Sequence, residues 1–221
     1  MSSVITPPLV DGERLGREEY HRRYLEMPDV KKAELINGVV HMPTPVRTDL
    51  VGMPRLHLCG WLGHYPWHTP GLRAGSHCTI RFQGDNDLQP DIMLMIDRSH
   101  GGQAMLDSDG YITGAPELLA EVAGSSSSKA SDERIQVFLA NGVREYVLLR
   151  KKDGAVDWFI LRDGKYEPLP LDEGLYKSEV FPGLWLDPAA LLRGDGVTVL
   201  ATLQRGLATA EHAAFVERLR P

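Results

Sequence analysis

QPDIMLMI, residues 89–96, and PELLAEVA, residues 116–123, are the two segments that decide the fold of this chain. Each contains an apolar run of strand length next to turn-forming residues, which predicts two buried β-strands. Asp91 lies at the start of the first predicted strand, and Glu121 lies inside the second. A buried carboxylate is costly unless it is paired or binds a cation. Two carboxylates on adjacent strands therefore predict a site for a hard metal ion such as Mg²⁺.

The composition is that of an ordinary globular protein, since 43% of the 221 residues are hydrophobic and 24% are charged. The 24 basic and 30 acidic residues give a net charge of −6. This balance argues against binding nucleic acid through the whole surface, but it leaves room for a local basic groove. Cys59 and Cys78 form no CxxC pair, which predicts two buried, reduced thiols.

The chain shows no signal for a membrane or for secretion. No apolar run reaches the roughly 18 residues that a membrane span needs, and the first residues lack the basic and apolar regions of a signal peptide. We therefore predict a cytoplasmic protein without a membrane partner. Its predicted organisation is a flexible N-terminal arm over residues 1–11, one domain over 12–195 and a C-terminal helical tail over 196–221.

The order of the predicted elements indicates an α/β fold with a mixed central sheet flanked by helices, an extra β-hairpin and C-terminal helices. Because a predicted helix joins the Glu121 strand to the next strand, those two strands should be parallel. Besides the two strands already described, the predicted elements are a helix over 13–27, a hairpin over 32–42 around Asn37-Gly38, a helix over 50–65, a strand over 72–82, a helix within 125–140, a strand over 146–149, a hairpin over 156–169, and helices near 188–192 and from 211.

Several motifs together resemble the Uma family, a large bacterial group with the restriction-endonuclease-like fold. The motifs that carry the resemblance are ELINGVV at 34–40, MPTPV at 42–46, QPD at 89–91, PELLAEVA at 116–123, GVREY at 142–146 and PGLWL at 182–186. They span most of the chain and are specific as a set. The resemblance implies a restriction-endonuclease-like mixed central sheet. It also implies a Mg²⁺-dependent endonuclease that hydrolyses DNA phosphodiester bonds.

In nucleases of this fold, a PD…(D/E)xK motif binds Mg²⁺, for which Mn²⁺ can substitute, and the metal activates a water molecule. The resemblance implies that Asp91 and Glu121 are metal ligands, that the carbonyl of Val122 is a third ligand and that Glu34 is an auxiliary one. It implies no organic cofactor. DNA is the implied partner, and cutting both strands of a duplex would favour a homodimer.

The sequence departs from the family motif at the lysine. The position two residues after Glu121, on the same strand face, holds Ala123. Family members commonly supply this lysine from the following helix, eight residues before the glycine that is Gly142 here, and that position is Arg134. Arginine keeps the charge and can stabilise a phosphate, but it is a poor general base because it stays protonated. The departure leaves a second hypothesis open, a catalytically inactive endonuclease-fold protein for binding or assembly.

Other candidate groups have simpler structural interpretations. A zinc site from His57, His64 and His68 is disfavoured because no cysteine or carboxylate pattern accompanies them. The serines at 125–128 lack a nucleophile elbow and are predicted to form a loop. Residues 107–110 are predicted to form a turn, since the later glutamate of a calcium loop is missing.

Two alternatives concern what the site would act on. The basic side chains between residues 14 and 32 are predicted to form a solvated helix face, with contact to a DNA backbone as the alternative. A metal-dependent hydrolase of another phosphoester would share the same ligands and differ only in its groove. The residues alone leave both questions open.

Overall fold

The computed structural model of the protein describes residues 6–42, 45–124 and 129–220, so the predicted serine loop at 125–128 lies outside the described residues. None of the described helices has both the length and the apolar character that crossing a membrane requires. The α-helices of the described chain are α1 Arg17–Leu25, α2 Met53–His64, α3 Lys129–Ala140, α4 Pro188–Arg193, α5 Gly196–Leu207 and α6 Ala210–Arg218.

The β-strands form two larger sheets and one small hairpin. They are β1 Glu34–Ile36, β2 Val39–His41, β3 Leu72–Ser76, β4 Ile80–Phe82, β5 Asn86–Leu88, β6 Ile92–Ile96, β7 Met105–Leu106, β8 Ile112–Thr113, β9 Leu118–Val122, β10 Glu145–Arg150, β11 Ala155–Arg162, β12 Lys165–Pro168, β13 Tyr176–Lys177 and β14 Trp185–Leu186.

The central sheet has the strand order β12-β11-β10-β9-β6-β3. Its strands β9 and β10 are parallel, with Glu121 opposite Leu148, and the other neighbouring pairs are antiparallel. The helix α3 connects the parallel pair, as the chain order predicted. The predicted mixed sheet is thus confirmed, and its antiparallel pair β6–β9 carries the two carboxylate positions.

The second sheet has the order β2-β1-β5-β4-β8-β7 and contains the predicted hairpin. In this hairpin Ile36 pairs with Val39. The turn residues Asn37 and Gly38 have φ angles of 50° and 74°. Two successive positive φ angles are what a two-residue hairpin turn requires, which explains the Asn-Gly sequence. The hairpin prediction is confirmed.

The single strand predicted over 72–82 is wrong. The chain forms β3 in the central sheet and β4 in the second sheet, with a sharp bend between them. His77 sits at the bend with a φ angle of 53°, a left-handed conformation in which an extended strand cannot continue. The alternation of Cys78, Ile80 and Phe82 gave no warning of this bend, because each half still alternates by itself.

Apolar side chains cover both faces of the central sheet. On one face α2, α4, α5 and α6 pack against the sheet, and the rings of Trp61 and Trp158 meet edge to face with centroids 5.7 Å apart. On the other face, side chains from both large sheets and α3 form a second cluster that includes Phe82, Phe138 and Tyr146. Full burial of one such aromatic side chain stabilises the fold by roughly 1.5–3 kcal/mol.

The first helix begins later than the predicted residue 13. The residues before Arg17 lie along the hairpin, where the N–H of Leu15 donates to the carbonyl of Gly38 at 2.9 Å. Their backbone groups are therefore used in sheet-like contacts and are not available for helical hydrogen bonds.

The helix α5 lies within the predicted C-terminal helical tail, but it was not among the individual helices predicted there. The side chain of Asp195 caps it by accepting a hydrogen bond from the N–H of Thr198 at 3.0 Å. Val199 and Leu203, four residues apart, are buried in the main core. This cap and spacing could have predicted the helix, but its β-branched and glycine residues obscured the pattern. The predicted helices near 188–192 and from 211 correspond to α4 and α6.

Glu145, at the start of β10, has a fully buried carboxyl group. This group binds the segment 178–180, which leads to β14. It accepts hydrogen bonds from the Ser178 hydroxyl at 2.7 Å and from the N–H groups of Glu179 and Val180 at 2.9 and 3.1 Å. Burial outweighs these donors and raises the pKa of Glu145 to about 7. The folded state therefore holds a proton that the unfolded state releases near its ordinary value of 4.5.

We expect the free energy of unfolding to fall by up to about 3 kcal/mol through Glu145 as the pH rises from about 4.5 to 7. The sign follows because the folded state binds more protons than the unfolded state in this window. Urea unfolding at pH 5 and pH 8 should show a smaller loss for Glu145→Gln than for the wild type. The exposed neighbour variant Glu179→Gln is the control. Equal losses for the wild type and Glu145→Gln would contradict the assignment.

Candidate active site

Asp91 and Glu121 face each other across two strands of the central sheet. In the antiparallel pair β6–β9, Ile92 lies opposite Ala120. Continuing this register by one residue places Asp91 opposite Glu121, where side chains of directly paired residues are neighbours. The side chain of Asp91 also contacts β9 directly, because the N–H of Val122 donates to its Oδ2 at 2.8 Å. The structure thus brings the two predicted ligands together.

Glu34 joins this pair from the second sheet. It is the first residue of β1 and is 7% exposed. Its Oε1 accepts a hydrogen bond from the N–H of Gln89 at 2.6 Å, in the loop that leads directly to Asp91. The predicted auxiliary ligand therefore lies at the same site as the two strand carboxylates.

Arg134 of α3 connects two of the three carboxylates. Its Nη1 binds Oε2 of Glu34, and its Nη2 binds Oε1 of Glu121, with Nε 3.4 Å from the other oxygen of Glu121. The side chain is only 12% exposed. Burial alone would lower the pKa of Arg134, but the charges of Glu121 and Glu34 outweigh it and raise that pKa well above its ordinary value. The guanidinium is therefore charged and firmly paired.

Asp91 has its own basic partners, both of which sequence reasoning missed. Nε of Arg55, in α2, lies 2.9 Å from Oδ1 of Asp91, and Nε2 of His77 lies 3.5 Å from the same oxygen. Burial would raise the pKa of Asp91, but His77, the N–H of Val122 and Arg55 together lower it. Asp91 is therefore held as a carboxylate.

Lys32 and Tyr146 complete the polar shell, and both were missed as site residues. Nζ of Lys32 donates to the Gln89 carbonyl at 2.9 Å and lies 3.7 Å from Oε1 of Glu34. Burial would raise the pKa of Glu34, but Arg134 and Lys32 outweigh it and lower that pKa. The hydroxyl of Tyr146 donates to Oε2 of Glu121 at 2.9 Å. The pKa of Tyr146 is raised, mainly by burial and secondly by the negative charge of Glu121.

The lysine position two residues after Glu121 supplies no charge. Its occupant, Ala123, contributes a backbone N–H to the carbonyl of Leu149 at 2.9 Å. Cationic groups reach the carboxylates from other elements, namely Arg134, Arg55 and Lys32. Nothing in the local sequence around Arg55 or Lys32 indicated this, because their elements are far from β6 and β9 along the chain.

The donor set fits a hard divalent cation in its chemistry. Asp91 and Glu121 offer carboxylate oxygens from adjacent strands, which is the ligand type that Mg²⁺ prefers. Glu34 and Glu121 already hold a cationic group between them, the guanidinium of Arg134. Among the described residues, no group of three or more His, Cys, Asp or Glu side chains is placed so that it could hold a metal ion. Both oxygens of Glu121 are instead in contact with Arg134.

The other groups considered in the sequence lie elsewhere. His64 and His68 are neighbours, with Nε2 atoms 3.2 Å apart, while His57 lines a separate apolar cavity beside α4 and α5. Residues 107–110 form a turn in which Asp107 accepts the N–H groups of Asp109 and Tyr111, so that prediction is confirmed.

The two cysteines and the basic side chains of α1 also have structural roles. Cys59 and Cys78 are free thiols, and both are half-buried, less than predicted. Arg22 and Arg23 of α1 form ion pairs with Glu19 of the same helix. Arg22 is exposed, as the predicted solvated face requires, whereas Arg23 is mostly buried between Glu13 and Glu19, so the prediction is wrong for Arg23. Contact of this region with DNA stays a prediction.

The mixed sheet, the crossover helix after the second acidic strand and the paired carboxylates define a protein of the restriction-endonuclease-like class. A family model, Uma2, described as "Putative restriction endonuclease", matches residues 17–189. The chain belongs to the Uma2 family.

A solved structure gives an independent comparison of the fold. The crystal structure of a "putative nuclease belonging to DUF820" from Anabaena variabilis is similar to this chain with a TM-score of 0.54 and 17% sequence identity. The match covers 77% of this chain and 97% of that chain. At this identity the likeness shows the fold alone. No curated protein matches the chain at a significant level.

Proposed function

We propose that this protein is a Mg²⁺-dependent endonuclease that hydrolyses phosphodiester bonds in DNA. The observation that carries the proposal is the placement of Asp91 opposite Glu121 on adjacent strands, in a chain of the Uma2 family. A pair of carboxylates in this position is suited to a hard cation, and phosphodiester hydrolysis is a reaction that such a cation promotes.

Asp91 and Glu121 would hold the cation, with the carbonyl of Val122 as a further oxygen and Glu34 as an auxiliary ligand. When bound, Mg²⁺ or Mn²⁺ supplies a water molecule of lowered pKa and charge stabilisation at the phosphate. The hydrogen bond from the N–H of Val122 fixes the orientation of Asp91, and Arg55 adds a positive charge 2.9 Å from its Oδ1. The hydroxyl of Tyr146 fixes the orientation of Glu121.

Arg134 takes the role of the missing lysine as a source of positive charge. Once free of Glu121, its guanidinium can bind a phosphate through two parallel hydrogen bonds. It cannot accept the proton of the attacking water, because it stays protonated. Lys32 adds a second positive charge at the same mouth of the site. In the reaction water adds across one P–O bond, so that one product carries the phosphate and the other a hydroxyl group.

DNA as the substrate and a homodimer as the active form are parts of the same proposal. The net charge of −6 disfavours binding over the whole surface, so contact would be limited to the region of Lys32, Arg55 and Arg134. Cutting both strands of a duplex takes two cuts, which the two active sites of a twofold symmetric dimer can make together. Light scattering of the protein with and without duplex DNA measures this state directly.

We expect the wild type to nick supercoiled plasmid DNA in the presence of Mg²⁺ or Mn²⁺ and to lose this activity when the metal is chelated. Glu121→Gln, which keeps the size of the side chain but removes its charge, should be inactive. Linear duplex DNA, single-stranded DNA and RNA, tested in parallel, identify the substrate. A wild type that is inert on every substrate with both metals, or a Glu121→Gln variant as active as the wild type, would contradict the proposal.

One observation favours a second candidate function, an inactive endonuclease-fold protein for binding or assembly. Three carboxylates, Glu34, Asp91 and Glu121, are matched by three cationic side chains from Lys32, Arg55 and Arg134. This arrangement is neutral without a metal, and Ala123 leaves the lysine position empty. The nicking experiment separates the two functions, because the second one predicts no metal-dependent cleavage.

A further inference from the structure

We propose that Arg134 is a built-in competitor for the divalent cation, so that the cation and this guanidinium exclude each other at Glu121. The inference rests on one part of the proposed function, the placement of the cation at Asp91 and Glu121. It adds a determinant of metal affinity that belongs to this chain, the guanidinium of Arg134, which holds Glu34 and Glu121 at once.

The contacts of Arg134 reach the oxygens that a cation would need. Its Nη2 and Nε lie against the two oxygens of Glu121, and its Nη1 binds Glu34 at the same time. The remaining oxygen of Glu34 accepts the N–H of Gln89. An arginine fork can bridge two carboxylates in this way, whereas a lysine presents a single point charge. Arg134 therefore takes the place of a cation between the two glutamates.

The surroundings of Arg134 keep it at this position. Its helix is anchored by Val137 and Phe138, which are buried between the two sheets. The guanidinium carbon lies 5.8 Å from the centroid of the Phe138 ring. With 12% of the side chain exposed, solvent screens these ion pairs less than those at the surface. Metal binding must therefore overcome charge-assisted contacts with both glutamates.

Removing the guanidinium should have two linked effects. The carboxylates of Glu34 and Glu121 lose their shared partner, so the metal-free protein becomes less stable. The same two carboxylates become available to a cation, so the metal binds more tightly and restores stability. A side chain with a purely structural role would give the first effect without the second.

The test is a calorimetric titration with Mn²⁺ of the wild type and of Arg134→Gln, together with thermal unfolding at several Mn²⁺ concentrations. We expect Arg134→Gln to bind Mn²⁺ about tenfold more tightly or better. Its thermal midpoint should be lower than that of the wild type without metal and should rise more with Mn²⁺. Arg134→Lys keeps one charge but cannot bridge both glutamates, so its Mn²⁺ affinity should lie between those of the wild type and Arg134→Gln. It also provides the test if Arg134→Gln does not fold.

A matched control is Arg162→Gln. Arg162 also pairs with two carboxylates, Glu179 at 2.5 Å and Glu167 at 3.7 Å. It ends β11, beyond the pairing of Ile160 with Glu145, and therefore lies at the other end of β10 from Leu148, the residue opposite Glu121. The control variant removes the same charge, and its Mn²⁺ affinity should equal that of the wild type. Equal or weaker Mn²⁺ binding by folded Arg134→Gln and Arg134→Lys would overturn the inference, as would an equal gain in Arg162→Gln.

The Mn²⁺ titration and the cleavage assay together show whether the competition or the nuclease function fails. Tighter Mn²⁺ binding by the Arg134 variants without cleavage of any nucleic acid would support the competition and reject the nuclease. Metal-dependent cleavage by the wild type, with Mn²⁺ affinity unchanged in the Arg134 variants, would support the nuclease and reject the competition. No Mn²⁺ binding in the wild type or in any variant would reject both.

Discussion

Asp91→Asn is expected to lower metal-dependent cleavage by about a thousandfold. The replacement keeps the size of the side chain and an oxygen that can accept the N–H of Val122, but it removes the negative charge from the central ligand position. A metal ion contributes several kcal/mol to stabilising charge in the transition state, and each 1.36 kcal/mol corresponds to a factor of ten in rate. Losing a ligand that holds the metal therefore removes most of this effect.

The measurement is the initial rate of plasmid nicking at saturating Mn²⁺, with folding checked by circular dichroism. Asp97→Asn is the matched control. Asp97 follows the other end of the same strand, β6, and is paired with Arg73 at 2.6 Å, so the control also separates an aspartate from an arginine. It should keep the wild-type rate. If Asp91→Asn cleaved within tenfold of the wild type, Asp91 would have no role as the main ligand.

Arg17→Met is expected to lower the free energy of unfolding by about 3 kcal/mol. Nε of Arg17, in α1, lies 2.7 Å from Oδ1 of Asp87, which is 1% exposed. Burial raises the pKa of Asp87 although Arg17 and Arg81 oppose it. Removing one partner of a buried ion pair leaves an uncompensated charge, which typically costs about 3–5 kcal/mol, and the 31% exposure of Arg17 favours the lower end.

Urea unfolding of Arg17→Met, Asp87→Asn and the double variant measures this effect as a double-mutant cycle. The double variant should lose less than the sum of the single variants, because it leaves no unpaired charge. Arg22→Met, on the same helix, is the control, since its partners Glu19 and Glu26 are exposed and such pairs contribute about 1 kcal/mol or less. A loss in Arg17→Met no larger than that in Arg22→Met would refute this interpretation.

The acidic pair could be predicted because its physical signal is local. A carboxylate at the start of an apolar strand, and another within such a strand, are unusual enough to stand out in the sequence, as Asp91 and Glu121 do. The parallel crossover through α3 also followed from the order of the elements. Arg134 was located only through the family resemblance, which fixed its distance from Gly142.

The partners of the acidic pair could not be predicted, because they come from distant parts of the chain. Arg55 lies on α2, and Lys32 precedes the hairpin, yet both reach carboxylates that belong to other elements. His77 reaches Asp91 because the chain turns at its left-handed residue, and no alternation pattern predicts such a turn. Charge neutralisation at the site is thus a property of the tertiary structure, visible only when the sheets and helices are assembled.

Whether Asp91 and Glu121 hold a cation is tested by a calorimetric titration of the wild type and Asp91→Asn with millimolar Mn²⁺. We expect one saturable site per chain in the wild type and no measurable site in a folded Asp91→Asn variant. Equal Mn²⁺ binding by the two proteins would contradict the claim that Asp91 and Glu121 together hold the cation. Absence of binding in the wild type would contradict it as well, unless the site appears when Arg134 is replaced.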